Sequence, residues 1–430
     1  MNLRIRTITV QDIRIEREAE RPSTFCDGVL TVNEKDLRRI LLDDDRLADV
    51  SVRAARPGDA TRIVPVKDVI EPRCKLTGRC FPGLDGPIEE VGTDTTIALK
   101  GCAVVTTGPI VGFQEGVIDM SGPLARYSPF STLLNIVLVI GKKDGVNPHE
   151  HEEAVRVAGI KAAQYLAETG KACETFTDTD YAWDAPAQKA AAHPALPKVG
   201  YVYLCTSQGL LHDNYFYGKN LQGMSPSLIS PLEILDGALV SGNCVSPGSK
   251  STTYHHQNNA IIDECFRRHG KTINFFAVVL VPMLVRLEDK VRNSLLAART
   301  LRLLGVDAAV VSMEGFGNPT TDLMMCCRKL EQRGIKTVIL TNEDAGLDGF
   351  SESLPDGTPE ADAIVSTGNS NEILTAPAMA EIIGDLSALA RITGGGAEAA
   401  QADGQLVIET HAVMGSHNLQ GYSCLSAITV

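Results

Sequence analysis

The residues best suited to chemistry lie in one segment, LVSGNCVSPGSKSTTYHHQNNAII, at positions 239–262. A thiol, Cys244, directly follows Gly242 and Asn243 in a turn-prone setting, and two adjacent histidines, His255 and His256, follow it. Hydroxyl and amide side chains fill the positions between them. A nucleophile, a base and groups that stabilise an oxyanion are therefore available within one short stretch.

A thiol one residue downstream of a peptide carbonyl can attack that carbonyl and convert the amide into a thioester. The reaction needs a strained turn and a base that accepts the thiol proton. Here Cys244 would attack the carbonyl of Asn243, with His255 or His256 as the base. Elimination would leave dehydroalanine, which hydrolyses to a pyruvoyl group, a ketone made from the chain itself. By itself, a Gly-Asn-Cys tripeptide also fits an ordinary turn beside a buried cysteine.

Other polar motifs give weaker functional signals. His212 lies in a polar and aromatic loop and fits a substrate-binding residue and a hydrogen-bonded loop histidine equally well. The cluster at 149–153 indicates a solvated acidic helix start rather than a metal site, because residues two apart do not share a helix face. Cys326 and Cys327 are expected to be buried. The sequence contains no phosphate-binding loop, dinucleotide fingerprint or zinc motif, so no metal or nucleotide is predicted.

Composition limits the partners. The 430 residues are 44% hydrophobic and 22% charged, as in ordinary globular proteins, and the net charge is −13. Such an acidic chain is poorly suited to bind nucleic acid or an anionic membrane. The apolar runs are shorter than the ~18 residues of a spanning helix, and the N-terminus lacks the apolar core of a signal peptide. We therefore expect a cytoplasmic protein without nucleic-acid or membrane partners.

The elements that must position these groups are predicted in three regions. Short strand-like runs separated by turn residues predict a β-rich N-terminal domain over residues 1–125. Residues 126–198 combine a helical stripe at 150–170 with a linker or long surface loop at 171–198.

The remaining region, residues 199–430, alternates apolar runs with helical segments and contains the segment 239–262. This alternation predicts a C-terminal βαβ domain with a mostly parallel sheet, so the fold class is α/β. Ligands of such sheets bind at the carboxyl ends of the strands, and three of these ends are followed by polar residues. They are Glu314–Pro319, Asn342–Asp344 and Gly368–Asn371.

Several long motifs follow one another in a recognisable order. They are RPGDATRIVPVKDVIEPR (56–73), LKGCAVVTTGPIVGFQEGVIDMSGP (99–123), HEHEEAVRVAGIKAA (149–163), TSQGLLHDNYFYG (206–218), DGALVSGNCVS (236–246), EGFGNPTTDLMM (314–325) and KTVILTNEDAG (336–346). With these motifs the chain resembles, over nearly its whole length, the α and β subunit proprotein of component B of the glycine, sarcosine and betaine reductases.

The resemblance implies cleavage between Asn243 and Cys244 into pieces of 243 and 187 residues, with Cys244 becoming the pyruvoyl group of the downstream piece. It implies an oxidoreductase that reductively cleaves the C–N bond of glycine, sarcosine or betaine, with a Schiff base between the ketone and the amine of glycine or sarcosine. Betaine, a quaternary amine without an N–H, cannot form a Schiff base and would need a different use of the ketone. The implied hetero-oligomer contains a selenocysteine- or cysteine-containing component B subunit. A carboxymethyl group then passes to the component A carrier protein.

Two other functions are compatible with the sequence. A free N-terminal Cys244 without a ketone would make the downstream piece an amide hydrolase. An uncleaved chain would instead serve as a non-catalytic assembly subunit. Pro247 and Gly248 stand where the resemblance implies a more acidic and cysteine-containing stretch, and this last alternative is favoured if they disable the processing.

Overall fold

The structure, a computed structural model, describes residues 1–18, 20–208, 214–242 and 245–420. Within these ranges the strands β1 to β12 are Asn2–Thr9, Asp12–Glu16, Thr24–Cys26, Val29–Asn33, Leu47–Ala55, Thr61–Ile70, Arg73–Lys75, Asp94–Lys100, Cys102–Thr107, Gly116–Asp119, Leu134–Lys142 and Thr177–Ala182. Strands β13 to β24 are Lys198–Thr206, Tyr215–Phe216, Lys219–Asn220, Ser227–Ile229, Leu239–Val240, Asn274–Met283, Ala308–Ser312, Lys336–Glu343, Ile364–Asn369, Ile373–Ala376, Glu381–Gly384 and Leu406–Glu409.

The α-helices of the described ranges, α1 to α8, are Glu34–Leu41, Pro148–Glu168, Pro186–Ala192, Pro231–Leu235, Thr253–Gln257, Ala260–Arg268, Leu287–Leu303 and Asn318–Glu331. None of these helices is both long enough and apolar enough to cross a membrane.

The strands of residues 1–125, together with β11 and β12 from the following region, form three sheets. One has the order β12-β1-β8-β7, a second has the order β10-β6-β9-β11-β5, and the third has the order β2-β4-β3. Helix α2 packs against the first two sheets, and its buried alanines, valine and leucine join the largest apolar cluster. The strand β6, every residue of which is buried, lies beneath the candidate site.

The C-terminal sheet has the order β16-β18-β13-β19-β20-β21. Its five strands from β18 to β21 are mutually parallel, and only the edge strand β16 runs antiparallel. Strands β13 and β18 are long apolar runs that are almost entirely buried, as expected where both faces of a sheet are covered. Helices α7 and α8 supply much of the cover. The predicted α/β class with a mostly parallel sheet is confirmed.

The start of α2 differs from the prediction. The residues at 149–153 were expected to form a solvated helix start, but the helix begins at Pro148 and both His151 and Glu152 are buried. The interpretation was wrong because Glu152 pairs with a buried lysine: its carboxylate accepts a hydrogen bond from Lys67 Nζ at 2.5 Å. The predicted burial of Cys326 and Cys327 is confirmed.

The segment 171–198, expected to be a linker or a long loop, contains the strand β12 and the helix α3. β12 pairs antiparallel with β1 through residues 177–182. Its sequence, TDTDYA, is mostly exposed and lacks alternating apolar residues, because the strand is held by main-chain pairing and by ion pairs to β1. Hydrophobic periodicity therefore gives no signal for it.

The two halves of the chain are interleaved. The sheet strands β13 and β16 precede residue 243, whereas their partners β18 and β19 follow it. In the opposite direction, β23 of the downstream half pairs in parallel with β6 of the upstream half through residues 381–384.

Candidate functional site

The segment predicted to react leaves the short strand β17, which pairs antiparallel with β14 so that Val240 faces Tyr215. The described backbone then continues through Ser241 to Gly242 and resumes at Val245. The predicted site residues Asn243 and Cys244 lie outside the described residues, as does His212. The site is therefore defined by what holds the chain on either side of positions 243 and 244.

On the upstream side, Ser241 is tied to the strand β6. Its N–H donates to Thr253 Oγ1 at 3.1 Å, and the Thr253 hydroxyl donates to Asp68 Oδ2 at 2.6 Å. The Thr253 N–H donates to the other oxygen of the same carboxylate, Oδ1, at 2.9 Å. The Ser241 hydroxyl in turn donates to the Gly242 carbonyl oxygen at 2.9 Å. The carbonyl group of Gly242, next to position 243, therefore has a defined hydrogen-bond donor.

The Gly242 N–H donates to the side-chain oxygen of Asn214 at 3.2 Å. The amide nitrogen of Asn214 donates to the carboxylate of Glu314. His256 Nε2 lies 3.4 Å from the same Asn214 oxygen, so Asn214 connects Gly242 to both Glu314 and His256.

Glu314 lies at the carboxyl end of β19 and is buried. Its Oε2 accepts the Thr206 N–H at 2.8 Å as well as the Asn214 amide, and its Oε1 accepts the Ser251 N–H at 3.2 Å. Burial raises the pKa of Glu314 to about 7, and these hydrogen bonds oppose the rise. A carboxylate with a pKa near neutrality is well matched to proton transfer, because general bases work best when their pKa is close to the working pH.

On the downstream side, the residue after Glu314 contacts the residue after Cys244. Gly315 has φ +77°, and a Cβ at this position would lie 2.9 Å from Val245 Cγ1. The Gly315 N–H also donates to the Ser249 carbonyl at 3.4 Å. Glycine is required here by both its backbone conformation and its close approach. The Glu314–Gly315 turn thus holds the chain on both sides of positions 243 and 244.

The C-terminal segment covers the downstream side. The carbonyl of Pro247 accepts the Gly415 N–H at 3.0 Å, and the carbonyl of Gly248 accepts the His417 N–H at 2.8 Å. Pro247 and Gly248 start a buried single turn of 3-10 helix. The turn that begins at Pro247 and Gly248 is therefore buried and hydrogen-bonded to the C-terminal segment.

The structure places the two predicted histidines differently. His256 is connected to Gly242 through Asn214, and its Nδ1 lies 2.7 Å from the hydroxyl of Tyr203. His255 is directed away, towards the ring of Phe130 at 5.0 Å, and its Nδ1 accepts the N–H of Thr252 at 3.1 Å.

Both histidines are fully buried, and burial lowers the pKa of each to about 3. They are consequently neutral at pH 7. Because the described contacts do not reach position 244, the role of His255 or His256 as the base stays a prediction.

Three residues of this network were given no catalytic role from the sequence: Asp68, Asn214 and Glu314, of which only Glu314 was named among the polar residues at the strand ends. Glu314 had a usable signal, because it follows a predicted strand of a parallel sheet, where ligands bind. Asp68 and Asn214 had none, since nothing in their local sequence indicates that the fold brings them to residues 241–242.

Comparison with known proteins places the chain in a family. Residues 1–428 match the family described as "Glycine/sarcosine/betaine reductase component B subunits". The chain is 44% identical over 429 residues to "Glycine reductase complex component B subunits alpha and beta" of Peptoclostridium acidaminophilum, covering 99% of each chain. It is 42% identical to the "Sarcosine reductase complex component B subunit alpha" of the same organism, again over 99% of each, and 38% identical to its "Betaine reductase complex component B subunit alpha", over 93% of this chain and 94% of the relative.

No solved structure matched the chain. On the strength of the full-length matches, the chain belongs to the family of glycine/sarcosine/betaine reductase component B subunits, and its reaction class is oxidoreduction.

Proposed function

We propose that this chain, as a member of that family, is a proprotein that cleaves itself between Asn243 and Cys244. In this proposal Cys244 becomes the pyruvoyl group of a subunit that takes part in reductive cleavage of the C–N bond of glycine, sarcosine or betaine. The observation that carries the proposal is the Glu314–Gly315 turn, which holds Gly242 through Asn214 and contacts Val245. A buried carboxylate thereby belongs to the hydrogen-bond network that holds Gly242, which directly precedes Asn243 at the bond that the family resemblance marks for cleavage.

The cleavage consumes two waters and releases sulfide and ammonia. The Cys244 sulfur attacks the Asn243 carbonyl carbon while its proton passes to a base, and the C–N bond breaks to give a thioester and a free amine. Elimination then breaks the Cβ–S bond and leaves a thiocarboxylate on residue 243 and dehydroalanine at residue 244. Hydrolysis of the thiocarboxylate releases hydrogen sulfide, and hydrolysis of dehydroalanine releases ammonia and leaves the ketone.

Glu314 is the group proposed to accept the thiol proton. A carboxylate offers roughly four acceptor positions, and the described donors, Thr206, Asn214 and Ser251, fill three of them. A position on Oε1 is thus left for a further donor. His256 is proposed to fix the orientation of Asn214, because its Nδ1 is engaged by Tyr203 and its Nε2 faces Asn214.

The residues around positions 243 and 244 fit a pyruvoyl group. Gly242, Pro247 and Gly248 are buried, so the ketone would be shielded from bulk water. Once formed, the ketone supplies an electron sink for a bound amine. The proposed surroundings are a hetero-oligomer with a selenocysteine- or cysteine-containing component B subunit and with the component A carrier.

Mass spectrometry of the intact purified chain tests this function. Two species of about 26 and 20 kDa, with the smaller about 33 Da lighter than a free N-terminal cysteine would make it, are expected. The Cys244→Ala variant is expected to stay at 46.0 kDa and to be unreactive towards carbonyl reagents.

Two results would contradict the proposal. A smaller species without the mass loss would support an N-terminal cysteine hydrolase. A whole chain that still supports reductase turnover with its partners would support an assembly subunit.

A further inference from the structure

A small cavity of about 20 Å³ lies beside the candidate site, with room for about one water molecule. Its lining joins the chain just upstream of position 243 to β6 and to α2. The lining residues that matter here are Arg156, Glu152, Lys67, Asp68, Lys250 and Gly242.

Arg156 is the unusual member of this lining. Its side chain is 94% buried, and its Nη1 has no hydrogen-bond partner among the described residues. No carboxylate in the described ranges forms an ion pair with it, whereas the other buried arginines, Arg62 and Arg73, are paired with Asp119 and Glu71. A buried cation without an anion is strongly disfavoured, so an anion that binds at this guanidinium would be stabilised.

The carboxylates that line the same cavity, Glu152 and Asp68, are already engaged. Lys67 Nζ binds Glu152 at 2.5 Å and Glu115 at 3.1 Å. Asp68 accepts two hydrogen bonds from Thr253. The guanidinium of Arg156 therefore remains as a positive charge available to a bound anion.

The position of Arg156 relates this charge to the reactive segment. Its guanidinium lies over the ring of Tyr215, 4.1 Å from the ring centroid. Tyr215 on β14 pairs with Val240 on β17, and the chain continues from Val240 through Ser241 to Gly242. An anion bound by Arg156 would thus lie next to the chain that carries position 244.

We propose that Arg156 binds the carboxylate of a small amino acid substrate and thereby directs its amine towards residue 244. The inference rests on the proposed function, which supplies the reactive group at that position. A guanidinium suits this role because its planar fork receives both oxygens of a carboxylate. Glycine is larger than this cavity, so its binding requires the wall at Ser241–Gly242 to move.

A carboxylate could also come from a second source. Cleavage would create a new terminal carboxylate on Asn243, the neighbour of Gly242. If Arg156 held that terminus instead, its replacement would weaken the association of the two pieces and would leave substrate recognition unchanged.

Calorimetric binding of glycine and of glycinamide to the purified chain separates these sources, because glycinamide keeps the amine and lacks the carboxylate. The Arg156→Gln variant is expected to bind glycine about 10- to 100-fold more weakly, while binding of glycinamide is unchanged. Arg156→Lys is expected to recover part of the affinity, because it keeps the charge and loses the fork. Lys161→Gln removes one positive charge from the same helix outside the cavity and is expected to leave both affinities unchanged.

Thermal melts of the same samples verify folding, and their intact masses show whether the chain is cut. Equal glycine affinities in wild type and in both Arg156 variants would overturn the inference, as would failure of the wild type to prefer glycine over glycinamide. An uncut wild-type chain would instead refute the proposed function. Its glycine binding would still decide on Arg156, since loss of that binding in Arg156→Gln would support the inference and an unchanged or absent affinity would overturn it.

Discussion

Replacing Glu314 with glutamine perturbs a group that is linked to Gly242 through Asn214 and that accepts the N–H of Ser251 downstream of positions 243 and 244. Glutamine has nearly the same shape, but it cannot ionise and it presents an NH₂ group where one carboxylate oxygen accepted an N–H. At least one of the bonds from Thr206, Ser251 and Asn214 is therefore lost. A lost bond to a charged group costs about 1.5–3 kcal/mol.

Ionisation adds a pH-dependent effect with a defined sign. The pKa of Glu314 is raised from 4.5 to about 7 in the folded chain, which corresponds to about 3 kcal/mol of stability. Because the folded-state pKa is the higher one, this contribution is complete below pH 4.5 and is lost as the pH rises through about 7. Glutamine shows no such loss. The variant is therefore expected to be less stable than wild type near pH 5 and nearly as stable, or more stable, above pH 8.

The rate of processing should follow the ionised form of Glu314. In wild type, the rate measured by intact mass is expected to rise with pH, with a midpoint near 7. The Glu314→Gln variant is expected to process at least about 100-fold more slowly than wild type, and its rate should not depend on pH. Glu314→Asp is expected to recover part of the rate, because it restores an ionisable carboxylate.

Asp322→Asn is the matched control. Asp322 is a second buried carboxylate whose pKa is raised by burial to about 7, but its side-chain partner among the described residues is Lys290 on α7 rather than Asn214 or Ser251. Its replacement should lower stability without changing the pH dependence of processing. Wild-type processing rates in Glu314→Gln, or equal slowing in both variants, would refute the assignment of Glu314.

Three further outcomes are expected from the same mass measurements. Gly315→Ala should slow processing and destabilise the chain by about 1–3 kcal/mol, because its Cβ would collide with the residue after Cys244 at a left-handed position. Gly334→Ala also replaces a glycine of positive φ, at +74°, but has no atom within 4 Å of the added Cβ, so only a modest loss of stability should appear and processing should continue. His256→Gln should slow processing about tenfold, as expected for one lost hydrogen bond. His255→Gln should lower the melting temperature and leave the processing rate close to that of wild type. Equal processing rates in the two histidine variants would contradict this distinction.

Much of the fold could be predicted from the sequence, because buried strands such as β13 and β18 are continuous apolar runs whose pattern is local. The strand β12 could not, since its polar residues are ordered by pairing with β1 rather than by burial. The pairing of β23 with β6 was equally hidden, because it joins residues more than 300 positions apart.

The candidate site divides in the same way. The segment at 239–262 was predicted to react from its residue types, because thiol, base and amides occur there together, and this stays a prediction. Asn214 and Asp68 act through contacts that exist only in the folded chain, so no local pattern contains them. The two adjacent histidines could not be distinguished by sequence, since only the helix α5 determines that His256 points to Asn214 and His255 to Phe130.

The interleaving of the two halves determines how a chain cut after residue 243 would behave. Because β13 lies between β18 and β19, and β23 lies beside β6, the C-terminal sheet and the sheet that contains β6 each take strands from both pieces. The cut pieces would stay together without a covalent link, but their reassembly after denaturation would become a bimolecular reaction whose rate depends on concentration. Folding must therefore precede cutting, and a denatured mature protein should recover poorly on dilution while the uncut Cys244→Ala chain refolds as a single molecule.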